Sequence, residues 1–477
     1  MPELAIGFGA AESGDEAFAD AAPVAINVLF DGKGALRRRP GLRNYVGAPT
    51  TAISSYPLTG VYRTLGGVLF ATDDEPGHRR IFKVTDGGGL DISGPPEADL
   101  RGTSRPIFAE TEALLVIAGG REVQKIYLLS LGTPSERLGG SPPHATHIVY
   151  NSSRFLVNRI LTPLNQVNFS DPGTGTATTP FETWSGTLSS GSVKAEARPG
   201  SVVALHETMN EVWLFCTASL QLFQVDPALG YARVLQSDRG LVAPYSVIDA
   251  GDAKAWMDDE KQFVFGTARE QRSISGPIQK TLDEMGTVSD GWGFRYKGDQ
   301  FEAMVWPFET DGRAWCYQLE GGWSQWQGWD GESWTTMNIA SHHLDRKTKA
   351  SIVGTRDGKV AELSTSATGD LGNAIRVLCQ SGFKNRGTDN RKECKVLRLA
   401  FERPGFDSDN TVTVRLRYRN EDGAWRPPIL LDISQRTQVV TLRPLGVYRR
   451  RQWEIDYEST EDLILTSARE EYTVTGD

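Results

Sequence analysis

A unit of strand, polar turn and strand recurs along this sequence, and it restricts the fold more than any other feature. The copy GGVLFATDDEPGHRRIFKVT shows it clearly, because two apolar, β-branched stretches flank a turn rich in charged residues. Seven such units lie at 66–85, 113–130, 154–170, 211–226, 254–266, 302–320 and 349–363. Their first strands are spaced by about 41 to 57 residues, close to the ~40–50 residues of one four-stranded propeller blade. The sequence therefore predicts an all-β fold built on a β-propeller of six or seven blades.

A β-sandwich fits these units less well, because sandwich turns recur every ~8–12 residues within a domain of only ~100 residues. Helix-period apolar patterns are few, and one helix is predicted, in SISGPIQKTLDEMG. Pro277 suits its first position and Gly286 suits its end. Ile278, Leu282 and Met285 share one face of this helix, so we expect that face to pack on the edge of a blade.

The pattern changes after about residue 375. In TVTVRLRYRN (411–420) apolar side chains alternate with Thr or Arg, which indicates an antiparallel strand with one buried and one solvated face. The stretches KVLRLAFE, TQVVTL, RRQWEIDYE and LILTSARE predict further strands. The chain is accordingly divided into an N-terminal arm (1–24), a propeller (25–374) and a small C-terminal β-sandwich (375–477). Whether the last strands return to close the propeller stays open at this point.

Five of the twelve tryptophans fall within the twenty residues WCYQLEGGWSQWQGWDGESW. Trp315, Trp323 and Trp326 lie on two strands joined by a glycine turn, and we predict that they fill the space between blades. Trp329 and Trp334 lie beyond these strands and are candidates for exposed aromatic side chains. An exposed pair would suit a glycan-binding propeller, that is, a lectin.

The sequence predicts no catalytic, metal or cofactor site. DGESW (330–334) lacks the residue that separates Asp from Gly in the Asp-box of sialidases, and no pair of carboxylates stands out for a glycoside hydrolase. His144 and His147 form an HxxH pair and His342 and His343 are adjacent, but no cysteine or carboxylate cluster accompanies them. The expectation is a protein that is not an enzyme.

Three observations bear on the compartment. The first twenty residues are acidic and show no secretory signal, and no run approaches the ~20 apolar residues of a membrane helix. The four cysteines have no CxxC spacing, so we expect reduced thiols made in a cytoplasm. A disulfide between Cys379 and Cys394 is the alternative.

Charge is distributed unevenly along the chain. The net charge is −9, yet residues 375–477 carry 18 Lys and Arg against 16 Asp and Glu. The remaining residues therefore carry a net charge of −11. This charge disfavours a nucleic-acid-binding surface, because phosphate binding depends on Lys and Arg. Basic clusters nevertheless occur at Arg37, Arg38 and Arg39, on the face formed by Arg415, Arg417 and Arg419, and at Arg449, Arg450 and Arg451.

These basic clusters have two interpretations. Each is either a solvated strand face or a surface that pairs with an acidic face of a neighbouring subunit. On the second interpretation, the candidate interface residues are Arg37, Arg38, Arg39, Arg449, Arg450 and Arg451. The run at Arg37–Arg39 beside Pro40 is predicted to lie outside the blades, free to reach a neighbour.

From NVLFDGKGALRRRPGL (27–42) onward, the chain resembles the tail hub or nozzle proteins of short-tailed bacteriophages, also called tail accessory factors or packaged-DNA stabilisation proteins. An early Asn-hydrophobic pair and a later Pro-Gly-Leu carry the first part of the resemblance. VWLFCTASLQLFQVD (212–226) is similar to a hairpin of that family. GLVAPYSVIDAGDAKAWMDDEKQFVFG (240–266) is similar to its following blade, and SISGPIQKTLDEM (273–285) to its short helix. The resemblance spans roughly residues 25–475 and consists mainly of order and shape.

The resemblance implies a structural virion protein, assembled in a bacterial cytoplasm, without cofactor or catalytic residues. Such a protein forms a homo-hexameric ring below a portal-side adaptor, extends the DNA channel, retains packaged DNA and supports a tail spike, fibre or needle. DNA passes without sequence-specific binding. We expect the isolated chain to stay monomeric and to form rings only on a portal-type partner. The alternatives are a lectin or a glycoside hydrolase of a phage tail.

Overall fold

The computed structural model describes residues 3–5, 24–30, 35–94, 100, 104–130, 133–172, 181–184, 191–208, 210–226, 230–298, 301–319, 321–384, 388–406, 410–421 and 423–475. The predicted N-terminal arm (1–24) therefore lies outside the described residues except for residues 3–5 and 24. The chain forms two units. The propeller unit comprises Asn44–Arg295 and Asn338–Glu362, and the sandwich unit comprises Met1–Arg43, Tyr296–Met337 and Leu363–Asp477.

Five short strands come first in the chain, and five four-stranded sheets follow them. The early strands are β1 (Glu3–Ala5), β2 (Ala25–Ile26), β3 (Val28–Phe30), β4 (Leu36–Arg38) and β5 (Gly41–Asn44). The first two sheets comprise β6 (Gly60–Arg63), β7 (Leu69–Thr72), β8 (Ile81–Thr85) and β9 (Gly88–Asp91), then β10 (Ile107–Glu110), β11 (Leu114–Ala118), β12 (Val123–Tyr127) and β13 (Glu136–Arg137).

The next three sheets repeat this antiparallel meander. They comprise β14 (Ile148–Asn151), β15 (Arg154–Asn158), β16 (Gln166–Phe169) and β17 (Gly191–Lys194); β18 (Val202–Thr208), β19 (Glu211–Cys216), β20 (Leu220–Asp226) and β21 (Gly230–Ser237); and β22 (Ile248–Ala250), β23 (Ala253–Met257), β24 (Phe263–Gly266) and β25 (Gln271–Ser273). A 3-10 turn (Gly276–Ile278) and helix α1 (Gln279–Glu284) follow, with Pro277 in the first turn as predicted.

Two more repeats complete the series. One is the row β26 (Phe294–Lys297), β27 (Glu302–Pro307), β28 (Ala314–Gln318) and β29 (Gly322–Trp326). After the small ribbon of β30 (Gly328–Trp329) and β31 (Trp334–Thr335) come β32 (Ser341–Leu344), β33 (Ser351–Gly354) and β34 (Val360–Ser364). The fourth strand of this last sheet is β5, from early in the chain, and not one of the final strands.

The seven hairpins predicted from the sequence are confirmed, because each corresponds to the second and third strands of a four-strand repeat. Strand β19 shows why these strands are so apolar. Val212 and Leu214 enter one core cluster, whereas Trp213 and Phe215, on the opposite face, enter another. Because successive side chains point to opposite faces of a strand, a sheet stacked between two others must be apolar on both. This is the packing of propeller blades.

The sandwich unit contains the remaining strands. They are β35 (Ile375–Gln380), β36 (Lys392–Glu402), β37 (Val412–Asn420), β38 (Ile429–Ile433), β39 (Thr437–Leu442), β40 (Val447–Tyr448), β41 (Arg451–Ser459) and β42 (Ile464–Val474). One sheet contains β3, β4, β42, β36 and β39, and the other contains β2, β35, β41, β37 and β38. This second sheet continues from β2 to β29, so the row β26 to β29 belongs to the same nine-stranded sheet, and Tyr296–Met337 fall in the sandwich unit. A single core cluster joins side chains of both sheets, such as Leu399 of β36 and Leu416 of β37, so the predicted C-terminal sandwich is present.

The early strands belong to this sandwich. Val28 and Leu36 are buried in the same core as the C-terminal strands, and the Asn27 side chain accepts hydrogen bonds from Arg39 and from the backbone N–H of Gln327. The predicted division assigns residues 25–374 to the propeller, whereas the structure places the strands before Arg43 in the sandwich unit. The hydrogen bond between Asn27 and Gln327 joins positions 300 residues apart. A local sequence pattern does not reveal such a contact.

Candidate functional site

A cavity of about 250 Å³ lies at the inner strands of the propeller unit. Its lining residues lie in, or within a few positions of, the first strand of every one of the seven repeats. They are Thr59, Gly60, Val61, Tyr62, Arg105, Pro106, Ile107, Phe108, His147, His206, Tyr245, Val247, Trp292, Gly293, Ser341, His342 and His343. First strands surround the axis of a propeller, so the fold itself brings these side chains together from seven distant places in the sequence.

Aromatic rings form much of the cavity wall. Tyr62 stacks on Phe108 with ring centroids 5.2 Å apart, and the ring of His343 lies 4.6 Å from Tyr62 on centroids. His147 stacks on Tyr245 at 5.0 Å. His342 stacks on a ring of β26 just outside the lining, Phe294, at 4.6 Å. These contacts fix the planes of the rings that line the cavity.

Burial keeps the four cavity histidines uncharged at neutral pH. It lowers the pKa of His147 to about 4, of His342 to about 3 and of His343 to about 4. The pKa of His206 also falls well below its usual value, first through burial and then through the nearby charge of Lys254. Burial disfavours the charged form of an imidazole. Here it outweighs the charge of Asp345 and a backbone carbonyl near His343, and a backbone carbonyl near His147, which all raise the pKa.

Two charged groups lie at the edge of this ring cluster. The guanidinium of Arg105 lies 4.3 Å from the ring centre of Trp292 and donates to the carbonyl of Ala340. The Tyr62 hydroxyl donates to Glu110 Oε2 at 3.0 Å, and this contact adds to burial in raising the pKa of Tyr62. The polar groups of the cavity are therefore mostly hydrogen-bond donors and neutral imidazoles.

The cavity histidines are scattered along the sequence and come together only in the folded structure. His144, the other half of the HxxH pair, lies outside the cavity, with Nε2 3.5 Å from Glu122 Oε1. No group of three or more His, Cys, Asp or Glu that could hold a metal ion occurs within the part of the chain that the structure describes. The sequence signal that was missed is positional. His147, His206, His342 and His343 all occur in or next to the first strand of a repeat, which an alignment of the seven repeats would have shown.

The structure corrects the prediction that Arg37–Arg39 form a free loop. Arg38 and Arg39 are 2% and 1% exposed. Arg39 is held by Asp370 at 2.6 Å, and Arg37 pairs with Asp462 at 2.5 Å. These three arginines lie on or beside β4 inside the sandwich unit, so strand pairing directs their side chains to partners within the chain.

Arg451 is likewise buried, at 1% exposure, and lies against the rings of Tyr418 and Tyr448. Its guanidinium lies 3.7 Å from Glu470. Its neighbours differ from it. Arg449 is exposed and Arg450 is half-buried, so the interface prediction stays open for these two positions only.

The tryptophan stretch divides into a buried part and a half-buried part. Trp315, Trp323 and Trp326 are buried. Trp329 and Trp334 are half-buried, and they meet edge to face at 5.2 Å on β30 and β31. The guanidinium of Arg376 covers both, at 4.2 Å from the centre of Trp329 and 5.3 Å from that of Trp334.

The four cysteines are buried and free, including Cys379 and Cys394. Burial raises the pKa of the Cys216 thiol to about 11 and of Cys316 to about 12. A thiolate is the reactive form of cysteine, so these thiols are held in their unreactive form at neutral pH. No helix among the described residues is long and apolar enough to cross a membrane.

Comparison with known proteins yields structural similarity only. No protein-family model matches the chain, and no curated protein sequence does. Among solved structures, BamB from Moraxella catarrhalis is similar at 10% identity, covering 76% of this chain and 96% of its own, with a TM-score of 0.40. The Pan2 WD40 domain of Neurospora crassa is similar at 10% identity, covering 70% of this chain and 96% of its own, with a TM-score of 0.40. PorZ of Porphyromonas gingivalis is similar at 10% identity, covering 65% of this chain and 37% of its own, with a TM-score of 0.37.

Proposed function

We propose that this protein is a structural subunit of a bacteriophage tail, a hub or nozzle that forms a homo-hexameric ring beneath a portal-side adaptor. The observation that carries the proposal is the order of the segments that resemble this family. In the structure, 27–42 spans β3, β4 and the start of β5, 212–226 forms most of β19 and all of β20, 240–266 covers β22 to β24, and 273–285 contains α1. The segments thus correspond to separate groups of strands and to the helix, and they follow one another along the chain.

The charge distribution supports a role beside DNA without gripping it. Residues 1–374 carry a net charge of −11 and residues 375–477 carry +2, which gives the total of −9. A like-charged surface repels the phosphate backbone, so DNA slides past it and does not adhere.

DNA would have to pass between subunits of the proposed ring. The cavity at the inner strands of the propeller unit measures only about 250 Å³ and is lined by stacked rings. The major groove alone of B-DNA is ~12 Å wide, so a duplex cannot thread through a propeller unit. The channel of the proposed tail is therefore the lumen that six copies enclose.

The most buried carboxylates support a structural role. Asp73 is fully buried and paired with Arg80 at 2.7 Å, and Asp258, at 1% exposure, is paired with Arg239 at 2.7 Å. Glu454 is 1% exposed on its side chain and is bound by Arg417. Such pairing commits these carboxylates to the fold, whereas a glycoside hydrolase needs two carboxyl groups that flank the bond to be cleaved.

The lectin alternative would use Trp329 and Trp334 as stacking platforms. In this structure the Arg376 guanidinium occupies the space over both rings, and Trp329 Nε1 donates to Glu458 Oε2 at 3.0 Å. A sugar would have to displace that guanidinium, which is itself bound to Asp456 by two hydrogen bonds. This arrangement favours the structural proposal over the lectin.

The proposal is tested in the virus that encodes the chain. A phage with the coding gene deleted should fill its heads with DNA but yield tail-less, leaking particles, and supplying the gene in trans should restore infectivity. Cryo-electron microscopy of intact virions should then show six copies below the portal. Virions that contain no copy of the chain, or a deletion mutant with normal tails, would refute the tail role.

A further inference from the structure

Strand β39 (Thr437–Leu442) forms an edge of the sandwich unit. It lies at the end of its sheet and pairs with β36, and with no other strand in the part of the chain that the structure describes. Its six residues follow β36 in a continuous register without a bulge. An edge strand presents a row of unpaired backbone groups, which can pair with a strand of another chain. This edge is therefore a template for one further strand.

The backbone groups that face outward can be identified from the ladder. The N–H of Arg403 donates to the carbonyl of Arg436, immediately before β39. Hydrogen-bonded and non-hydrogen-bonded pairs alternate along an antiparallel ladder, so the N–H and C=O groups of Thr437, Val439 and Thr441 point away from β36. The side chains of the same three residues are exposed. Three donors and three acceptors thus face outward along this edge.

The composition of β39 differs from that of the edge strand of the other sheet. Proteins block exposed edges with charged side chains, prolines or bulges. Strand β38 follows Pro427 and Pro428 and contains Asp432. The sequence of β39, TQVVTL, contains no charge and no proline, and Val439 is 64% exposed. Valine and threonine also favour strands. The sequence therefore blocks one edge of the sandwich and leaves the other open to pairing.

Two arginines select the partner that this edge can accept. Arg436 and Arg443 flank the strand at its two ends, and both are exposed. If two copies of β39 paired antiparallel about their centres, Arg436 would face Arg443 of the second copy. In an in-register parallel pair each arginine would face itself. Like charges directly opposite each other destabilise a strand pair. The charges therefore disfavour a second copy and favour a strand with a carboxylate at each end.

We propose that β39 binds an extended segment of a partner protein as one more strand of the sheet, the mode of recognition known as β-augmentation. The segment would be uncharged and rich in β-branched residues over the length of β39, with Asp or Glu at each end. Its backbone would pair with Thr437, Val439 and Thr441, and its carboxylates with Arg436 and Arg443. This binding does not depend on the tail role.

The test uses the full-length protein and two labelled peptides, EVTVTVTE and KVTVTVTK, which differ only in the charge of their ends. Fluorescence anisotropy is measured at physiological ionic strength. We expect the glutamate-ended peptide to bind saturably and the lysine-ended peptide to bind about tenfold more weakly, because its charges oppose those of the arginines. The glutamate-ended peptide should also slow hydrogen–deuterium exchange within 437–442. The double change Arg436→Glu and Arg443→Glu should invert the preference between the peptides.

Two further variants serve as controls. Val439→Pro removes one outward N–H that β36 does not use, so it should weaken binding while the fold is kept. The double change Arg449→Glu and Arg450→Glu makes the same change of charge away from β39 and should bind like wild type. Should Val439→Pro fail to fold, the Arg436 and Arg443 variant decides.

Three results would overturn the proposal. Failure of both peptides to bind would exclude the edge as a binding site. Equal or tighter binding of the lysine-ended peptide would exclude a partner with acidic ends. Concentration-dependent association of the wild-type chain that Val439→Pro abolishes would show that a second copy occupies the edge.

Discussion

The cavity histidines show how position changes the chemistry of a side chain. In water an imidazole titrates near pH 6.5, whereas His147, His342 and His343 have pKa values of about 4, 3 and 4 in the fold. Unfolding returns them to the ordinary value. Between about pH 6.5 and 4 the unfolded chain therefore binds protons that the folded chain does not, and acid destabilises the protein.

This difference gives a prediction for pH. Each of these histidines should lower the free energy of unfolding by about 2 kcal/mol on going from pH 7 to pH 5. Urea denaturation at both pH values measures the loss. Carboxylates with lowered pKa, such as Asp345, contribute with the same sign, so the decisive comparison is between variants. His342→Phe should show a smaller loss than wild type, and His144→Phe the same loss. Equal losses in all three proteins would contradict the buried, neutral state of His342.

The buried arginines illustrate a limit of sequence reading at the scale of single residues. A run of three arginines beside a proline has the pattern of an exposed basic loop, yet Arg39 is 1% exposed and makes two hydrogen bonds to Asp370. Asp370 lies 331 positions away in the sequence. The pattern of charges along a chain does not show which distant carboxylate a folded strand will meet.

Replacing Arg39 should consequently damage the fold and not merely an interface. Arg39→Met leaves Asp370 without its partner, and removing one member of a buried ion pair costs ~3–5 kcal/mol. Arg449→Met, at an exposed position of the same unit, should change stability by less than ~0.5 kcal/mol. Thermal denaturation of the two variants side by side provides the measurement, and equal melting temperatures would show that the Arg39 pair contributes nothing.

At the scale of elements, the hairpins were predictable because their information is local. A blade strand such as β11 must be apolar on both faces, and the turn that follows it is polar, so the repeat is visible within a window of about twenty residues. Strands β2 to β5 could not be placed in this way. They are short, and although β3 and β4 pair with each other, the other partners, β29, β34, β35 and β42, lie some 300 or more positions later, so no local pattern specifies those pairings.

The packing between the fourth and fifth sheets offers a test at this scale. Trp256 of β23 is fully buried and meets Phe215 of β19 edge to face at 5.5 Å. Trp256→Ala should therefore cost ~3–5 kcal/mol through the cavity that it creates. Trp256→Phe should cost much less, because it keeps the ring and removes an indole N–H without a described partner. Chemical denaturation would contradict this packing if both variants were equally stable.

At the scale of the whole molecule, the proposed ring raises the question of what holds six copies together. The exposed and half-buried basic positions that remain, Arg449 and Arg450, could contribute surface ion pairs of only ~0–1 kcal/mol each. Association costs at least several kcal/mol in lost freedom. A partner that holds the subunits side by side raises their effective concentration, and weak contacts then suffice.

We therefore expect the purified chain to be a monomer of 52.4 kDa in light scattering at micromolar concentration. Adding the portal complex of the same phage should produce rings. The double change Arg449→Glu and Arg450→Glu should prevent ring formation while leaving the melting temperature unchanged. A stable hexamer without any partner would contradict this account of assembly, and normal rings from the double variant would exclude these two arginines from the interface.

The sandwich unit contains strands from both ends of the sequence, which determines when it can form during biosynthesis. Its core joins Val28 and Leu36 to strands that end at Val474, and a ribosome makes these at opposite ends of translation. Strands β3 and β4 can pair with each other early, but they must wait for β42, the other neighbour of β4 in the sheet, until almost the whole polypeptide has emerged. The five sheets from β6 to β25 draw on neighbouring residues and can form while synthesis continues. A prematurely terminated chain would thus carry blades but no finished sandwich, and only a completed polypeptide would present the surface that the sandwich strands create.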